Sequence, residues 1–436
     1  MSPITHPAPE HLPGEPVEHI GPLQTALHLL RGLLTLLASG VVGLPFWPLY
    51  LLIRLFRPRP PHRPSVRAHL RLLGWIFTEQ PPPPGLPLRV RLGLALELLR
   101  RFACLPLHGL AWYLDERLYG RALRQVRINA PLFEISATRS GSTQLAHYLE
   151  EDPAIIAPST LRMIFPYRWL WKLVGATLGR VISPDRVRAA MRKRLGEPFL
   201  QRHELDPFRT DTFEAVFGMG HMALLYLRLG PRTLAGALGA LLSGTARQSE
   251  QSDDFLRFLD AIARKTLLDH PGRRLMIKGH FLAQADALEA RYPDARFLTV
   301  LRVPEKRIQS AINYARVQPS MPLCGPAPWA WLVEALIEVE TAYGDLEQTW
   351  FGRPGRRCVV RFEDYVRDLE GVMTRIYREC LDTDLPPHVP RTHAERTRTG
   401  YTVDRSLAQL GIDRDALNTR CAAWLAWHDH LARPKT

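Results

Sequence analysis

FEISATRSGSTQLAHYLEEDP, residues 133–153, changes character twice within one short span. An apolar, strand-like piece over 131–136 breaks into Thr138-Arg139-Ser140-Gly141-Ser142-Thr143. An amphipathic helical pattern follows at once. Gly141 lets the backbone enter conformations that a Cβ forbids. Successive N–H groups can then turn inward as an anion nest at a helix N-terminus. The hydroxyls of Ser140, Ser142 and Thr143 and the guanidinium fork of Arg139 add donors matched to phosphate-like oxygens.

Working outward, short apolar runs alternate with helical stretches. PLFEIS (131–136), RLMIKG (274–279), RFLTVLR (296–302) and CVVRFED (358–364) have strand length and β-branched or aromatic content. Each is followed by helix-compatible sequence. This alternation predicts an α/β fold with a mainly parallel sheet flanked by helices. In such a sheet, ligands bind beyond the carboxyl ends of the strands, where the 138–143 loop sits. The loop is not a Walker A motif, since GxxxxGK[ST] is absent from the chain.

The Arg-Ser-Gly-Ser-Thr loop after a first strand resembles the 5′-phosphosulfate loop of the sulfotransferase family, in its broad bacterial branch. A second match is RFLTVLRVPEKRIQSAINYARV (296–317): a strand ending at Arg302, a helix opening with Pro304, and Ser310 eight positions on. In the family, an arginine and a serine so placed clamp a 3′-phosphate. MIKGHFLAQADALEARYPDARF (276–297) resembles the family's lysine-bearing strand, with Gly279 where a proline is more usual. VVRFEDYVRDLEGVMTRIYREC (359–380) resembles the late strand and helix. The resemblance covers 131 to about 415. It implies a P-loop-type parallel sheet and 3′-phosphoadenosine 5′-phosphosulfate as sulfuryl donor, with no metal required.

It also implies roles. Arg139, Ser140, Gly141, Ser142 and Thr143 would hold the 5′-phosphosulfate, and Arg302 and Ser310 the 3′-phosphate. Arg139, where many soluble relatives carry lysine, would stabilise charge on the leaving phosphate, with Lys278 second. An arginine gives that help electrostatically, because it does not readily release a proton. The acceptor hydroxyl or amine needs a base. QRHELDPFRTDTFEAVF (201–217) offers His203, Glu204, Asp206, Asp211 and Glu214. His203 is preferred for its near-neutral titration and Glu214 is second. His280 is a further candidate to face substrate, and the segment around Arg398 and Tyr401 to fold over the donor. Two other functions compete: a catalytically idle relative that binds a membrane partner, and a P-loop-like kinase. Intact Arg139, Ser142, Arg302 and Ser310 speak against the first, and the missing Walker lysine against the second.

The formal net charge is +14, and all but six of the basic residues are arginine. The arginines are scattered, without zinc-finger spacing or an aromatic-interleaved basic run, so nucleic acid is not the expected partner. Five cysteines, odd in number and without a CxxC pair, predict no disulfide framework or structural zinc. GLLTLLASGVVGLPFWPLYLLI (32–53) carries no charge and is followed by Arg54, Arg57, Arg59 and Arg63. Its helical length, roughly 33 Å, matches a bilayer core.

The basic flank predicts a membrane-associated protein whose catalytic bulk is cytoplasmic, with Trp47 and Tyr50 near the headgroups. Pro45 and Pro48 leave open a re-entrant hairpin in place of a single span. The helical stretch over 88–120 is expected either on the membrane surface or against the catalytic domain. The expected organisation is a flexible tail (1–20), a membrane segment (21–60), a linker with amphipathic helices (61–125) and the α/β domain (126–436). A lipid-linked acceptor suits that address.

Overall fold

The structure, a computed structural model, describes residues 21–63, 65–78, 88–177, 183–196, 200, 203, 205–213, 250–317, 329–393 and 406–432. Its centre is a sheet of five strands: β1 (Leu132–Glu134), β2 (Ile155–Ile156), β3 (Arg274–Lys278), β4 (Arg296–Leu301) and β5 (Arg357–Arg361). They run in the order β2-β3-β1-β4-β5, every pair parallel. The four expected strands are present. The additional edge strand β2 is only two residues long and pairs with the start of β3.

Period-two alternation builds two cores. Phe133, Ile135, Leu275, Ile277 and Phe297 face one side, where Phe255, Phe258 and Ile262 of the Glu250–Asp269 helix cover them. Leu132, Met276, Leu298 and Val300 face the other, against Leu145 and Leu149 of the Ser142–Glu150 helix and Val372 and Met373 of the Leu369–Arg375 helix. Both faces are dry, so each strand reads as a nearly continuous apolar run.

The 88–120 stretch forms two helices, Leu88–Ala103 and Leu105–Gln125, separated at Cys104 with Pro106 in the first turn of the second. The second helix packs against the α/β core. Its Asp115 is fully buried in an ion pair with Lys265 (2.7 Å), whose ammonium lies 4.0 Å over the Trp112 ring.

Helical backbone runs unbroken from Pro22 to Arg54, passing through a short 3₁₀ turn at Leu44–Phe46. The chain therefore does not reverse at Pro45 or Pro48. Each proline occupies the first turn of the next helical piece, where its missing N–H costs nothing. Trp47 and Tyr50 both make contacts within the protein. Tyr50 is buried beneath Gly109 and stacked on Tyr113, and Trp47 packs on Phe102. Their aromatic area is spent on protein–protein contact.

Candidate active site

β1 ends in a stretch that cross-braces the sheet. The Val300 amide donates to Ser136 Oγ (2.7 Å), and Tyr343 Oη donates to the Ile135 and Ser136 carbonyls. His280 Nδ1 donates to the same Ser136 carbonyl at 2.7 Å. Beyond this brace the chain turns sharply. Arg139 has φ +59° and Gly141 φ +92°. For a residue with a side chain, the left-handed region costs about 1–2 kcal/mol. At Arg139 the strain is held by outside contacts: Arg302 Nη1 donates to its carbonyl at 2.8 Å, and its own Nε donates to Ser310 Oγ at 3.0 Å. Gly141 is required twice over, since a Cβ there would also stand 2.9 Å from the Phe362 ring.

Gly141 is the N-cap of the Ser142–Glu150 helix and supplies no side-chain cap. The first-turn amides of that helix have no intrahelical acceptors and face the loop as donors. Ser140 is fully buried, and its Oγ has no hydrogen-bond partner among the described residues. Ser142 is buried and Thr143 half-buried. The loop thus combines strained backbone, oriented amides and an orphaned hydroxyl, a donor set that fits a phosphate or sulfate oxygen.

The strand end at β4 meets this loop directly. Arg302 stacks over Phe362 (4.3 Å) while gripping the Arg139 carbonyl. The Pro304–Val317 helix then presents Arg307, Ser310 and Tyr314, spaced to share one face. Arg307 is wholly buried between Glu347 (2.8 Å) and Glu340 (3.2 Å), which fixes the helix to its Trp329–Phe351 neighbour. Glu340 also accepts from Thr138 of the loop. One carboxylate therefore ties loop and helix together. Ser310, three residues on, accepts from Arg139 and retains its own proton to donate elsewhere. Arg139 is thus joined to Arg302 through its carbonyl and to Ser310 through its guanidinium.

Tyr314 carries the arrangement further. The Arg139 guanidinium sits 4.9 Å over its ring, and the His203 ring lies 5.5 Å from it. His203 Nε2 is 2.8 Å from Asp211 Oδ2, and Lys278 Nζ is 3.4 Å from Asp211 Oδ1 and 2.9 Å from Thr212 Oγ1. Burial alone would raise the Asp211 carboxyl; the His203 and Lys278 charges overcome this and hold it far below the usual carboxylate range. An ionised carboxylate only accepts, so Nε2 carries a proton toward Asp211, and in the neutral ring Nδ1 is then the basic atom of His203.

His280 is half-buried; desolvation, then the charge of Lys278, push its titration down to about 3, so it stays neutral. It braces Ser136 and does not suit proton abstraction at neutral pH. Asp206 pairs with Arg188 and caps the Phe208 amide, apart from these groups. Glu204, Glu214, Arg398 and Tyr401 lie outside the described residues. Sequence reasoning listed Asp211 only as a rival base and passed over Tyr314 and Glu340. The one available signal for Tyr314 was its spacing from Ser310. No group of three or more metal-ligating side chains occurs among the described residues.

Comparison with known proteins bears on the family and the fold. The model of the sulfotransferase family matches residues 131–386, from β1 through the last strand and beyond. The fold is similar to that of the sulfotransferase STF1 from Mycobacterium tuberculosis H37Rv, with a TM-score of 0.58 and 18% identity, covering 82% of this chain and 92% of that one. It is likewise similar to the sulfotransferase STF9 from Mycobacterium avium, with a TM-score of 0.57 and 17% identity, covering 82% and 90%. No curated protein sequence matches the chain. With the family matched over more than half its length and the parallel sheet in place, the chain belongs to the sulfotransferase family and is a sulfotransferase enzyme.

Proposed function

We propose that the protein transfers a sulfuryl group from 3′-phosphoadenosine 5′-phosphosulfate to a hydroxyl of a membrane-associated, lipid-linked acceptor. The observation that carries the reading is the linkage of Arg139 to both Arg302 and Ser310, with the Tyr314 ring between Arg139 and the His203–Asp211 pair. The loop amides, Ser140, Ser142, Thr143 and Arg139 hold the 5′-phosphosulfate. Arg302 and Ser310 hold the 3′-phosphate that distinguishes this donor from common nucleotides.

In the transfer, the acceptor oxygen forms its bond to sulfur as the bond from sulfur to the 5′-phosphate oxygen breaks. The electron pair of the broken bond stays on the phosphate, where Arg139 stabilises the growing charge in a partly dry site. The acceptor proton goes to His203 Nδ1, whose ring is oriented by Asp211. Lys278 balances the Asp211 charge from the strand end and adds positive potential toward the leaving phosphate. The chain divides in function as its sequence suggests: a tail at 1–20, a membrane segment at 21–60, connecting helices at 61–125 and the catalytic unit at 126–436, facing the cytoplasm.

The test is transfer from ³⁵S-labelled donor into a lipid extract by the full-length protein. Label in an extractable lipid product is expected, lost in the Arg139→Ala variant. Equal incorporation by wild type and variant, or none with any acceptor, would overturn the reading.

A further inference from the structure

The helical run Pro22–Arg54 is long and apolar enough to cross a membrane. Its surroundings argue for another placement. Thr25, His28, Gly32, Leu36, Ser39 and Gly43 recur every three or four residues and are half-buried or buried, a single stripe turned toward the protein. The face opposite the stripe is apolar and bare, with Leu23, Leu30, Leu34, Leu37, Val41 and Leu52 between 52% and 77% exposed, while Gln24, Arg31 and Thr35 lie exposed along one flank. Exposed apolar area of this extent marks an interaction surface.

The stripe is covered by the Leu88–Ala103 helix. A Cβ on Gly32 would stand 3.1 Å from Leu96, and one on Gly43 2.0 Å from the Ala103 carbonyl oxygen. The two contacts advance together along both helices, so they run side by side. The covering helix carries Arg89, Arg91, Glu97, Arg100 and Arg101, and Arg91 bonds back to Ile76 of the Val66–Thr78 helix. A crossing Pro22–Arg54 helix would drag this charged partner into hydrocarbon, where ionised groups are expensive. Lying flat, the helix needs no polar face of its own, because the protein body takes the water side.

The charge pattern selects the lipid. Residues 21–125 hold fourteen arginines against four acidic residues, so this quarter of the chain supplies +10 of the formal +14. The apolar arc continues beside these arginines onto Leu88 and Leu70. Apolar side chains beside a band of cations match an interfacially seated helix on anionic headgroups.

We propose that the Pro22–Arg54 helix, backed by the Leu88–Ala103 helix, lies in the plane of one leaflet of an anionic bilayer, making the protein monotopic. The inference rests on the membrane attachment proposed above, and its test separates the two. A fluorescent amino acid is placed at Leu23, Leu34 or Val41 of the full-length chain, and depth is read by quenching in vesicles of phosphatidylcholine with phosphatidylglycerol. The three positions should report one shallow depth. Flotation should favour these vesicles about tenfold or more over phosphatidylcholine alone, an effect that added salt removes. A depth that changes steadily from Leu23 to Val41 would overturn the in-plane placement and keep the attachment. A chain that stays in the aqueous phase, alone or as a dimer closed over the apolar arc, would overturn both.

Discussion

Asp211→Asn changes one atom of a buried side chain and should abolish most turnover by reversing a proton position. In the structure, Asp211 Oδ1 faces three donors: Lys278 Nζ (3.4 Å), the Thr212 amide (2.7 Å) and Thr212 Oγ1 (3.1 Å). An amide NH₂ cannot occupy that end. It must take the Oδ2 position, where it meets His203 Nε2 at 2.8 Å. Two donors would then face each other unless His203 moves its proton to Nδ1. That shift leaves the ring with no basic atom toward the acceptor. A positioned general base contributes about 10²–10⁴-fold, so turnover should fall within that range. The assay is labelled transfer to whichever hydroxyl acceptor supports the wild type, alongside calorimetric binding of adenosine 3′,5′-bisphosphate, which should change little. Turnover should recover in part with an acidic phenol, already ionised at the assay pH. Wild-type turnover with a neutral alcohol acceptor, or equal loss for alcohol and phenolate, would refute the reasoning.

Arg302→Ala removes a charge-assisted contact of about 1.5–3 kcal/mol, so adenosine 3′,5′-bisphosphate should weaken by roughly 10- to 150-fold, and adenosine 5′-monophosphate, which loses only the support that Arg302 gives the Arg139 carbonyl, should weaken clearly less. Gly141→Ala forces a side chain into φ +92° and against Phe362, the ring under Arg302, at a cost on the order of 1–3 kcal/mol. Its folding by circular dichroism should survive, and its bisphosphate affinity should drop at least about tenfold. His62 is buried and His108 and His280 are half-buried, and desolvation followed by neighbouring cations holds all three below their ordinary titration. Depressed folded values mean the unfolded chain takes up these protons first. Stability is therefore full above about pH 6.5 and declines below it by up to about 1.4 kcal/mol per pH unit for each histidine, readable as a falling thermal midpoint.

Much of this was visible in the linear sequence because its causes are local. The glycine of the loop, the arginine at a strand end and the serine on the next helix each follow from their immediate neighbours. So do the strands, whose apolar runs are long because both faces are buried. What escaped depends on pairs far apart in the chain. Asp211 reads as one carboxylate among several until β3 brings Lys278 against it. Glu340 gains meaning only through Thr138 and Arg307, from two segments far away in the chain. β2 is two residues long, too short for any periodicity to register. Trp47 and Tyr50 belong with these: composition alone does not show that their rings meet Phe102 and Gly109.

The central claim is that one cluster grips both ends of a 3′-phosphorylated adenosine donor. Calorimetric titration of the full-length protein with adenosine 3′,5′-bisphosphate, set against ATP under the same conditions, tests it most directly. The account predicts tight one-to-one binding of the bisphosphate and roughly 10- to 150-fold weaker binding of ATP, the discrimination expected when a charge-assisted 3′-phosphate contact is missing. Equal affinity for the two nucleotides, or no binding of the bisphosphate, would contradict it.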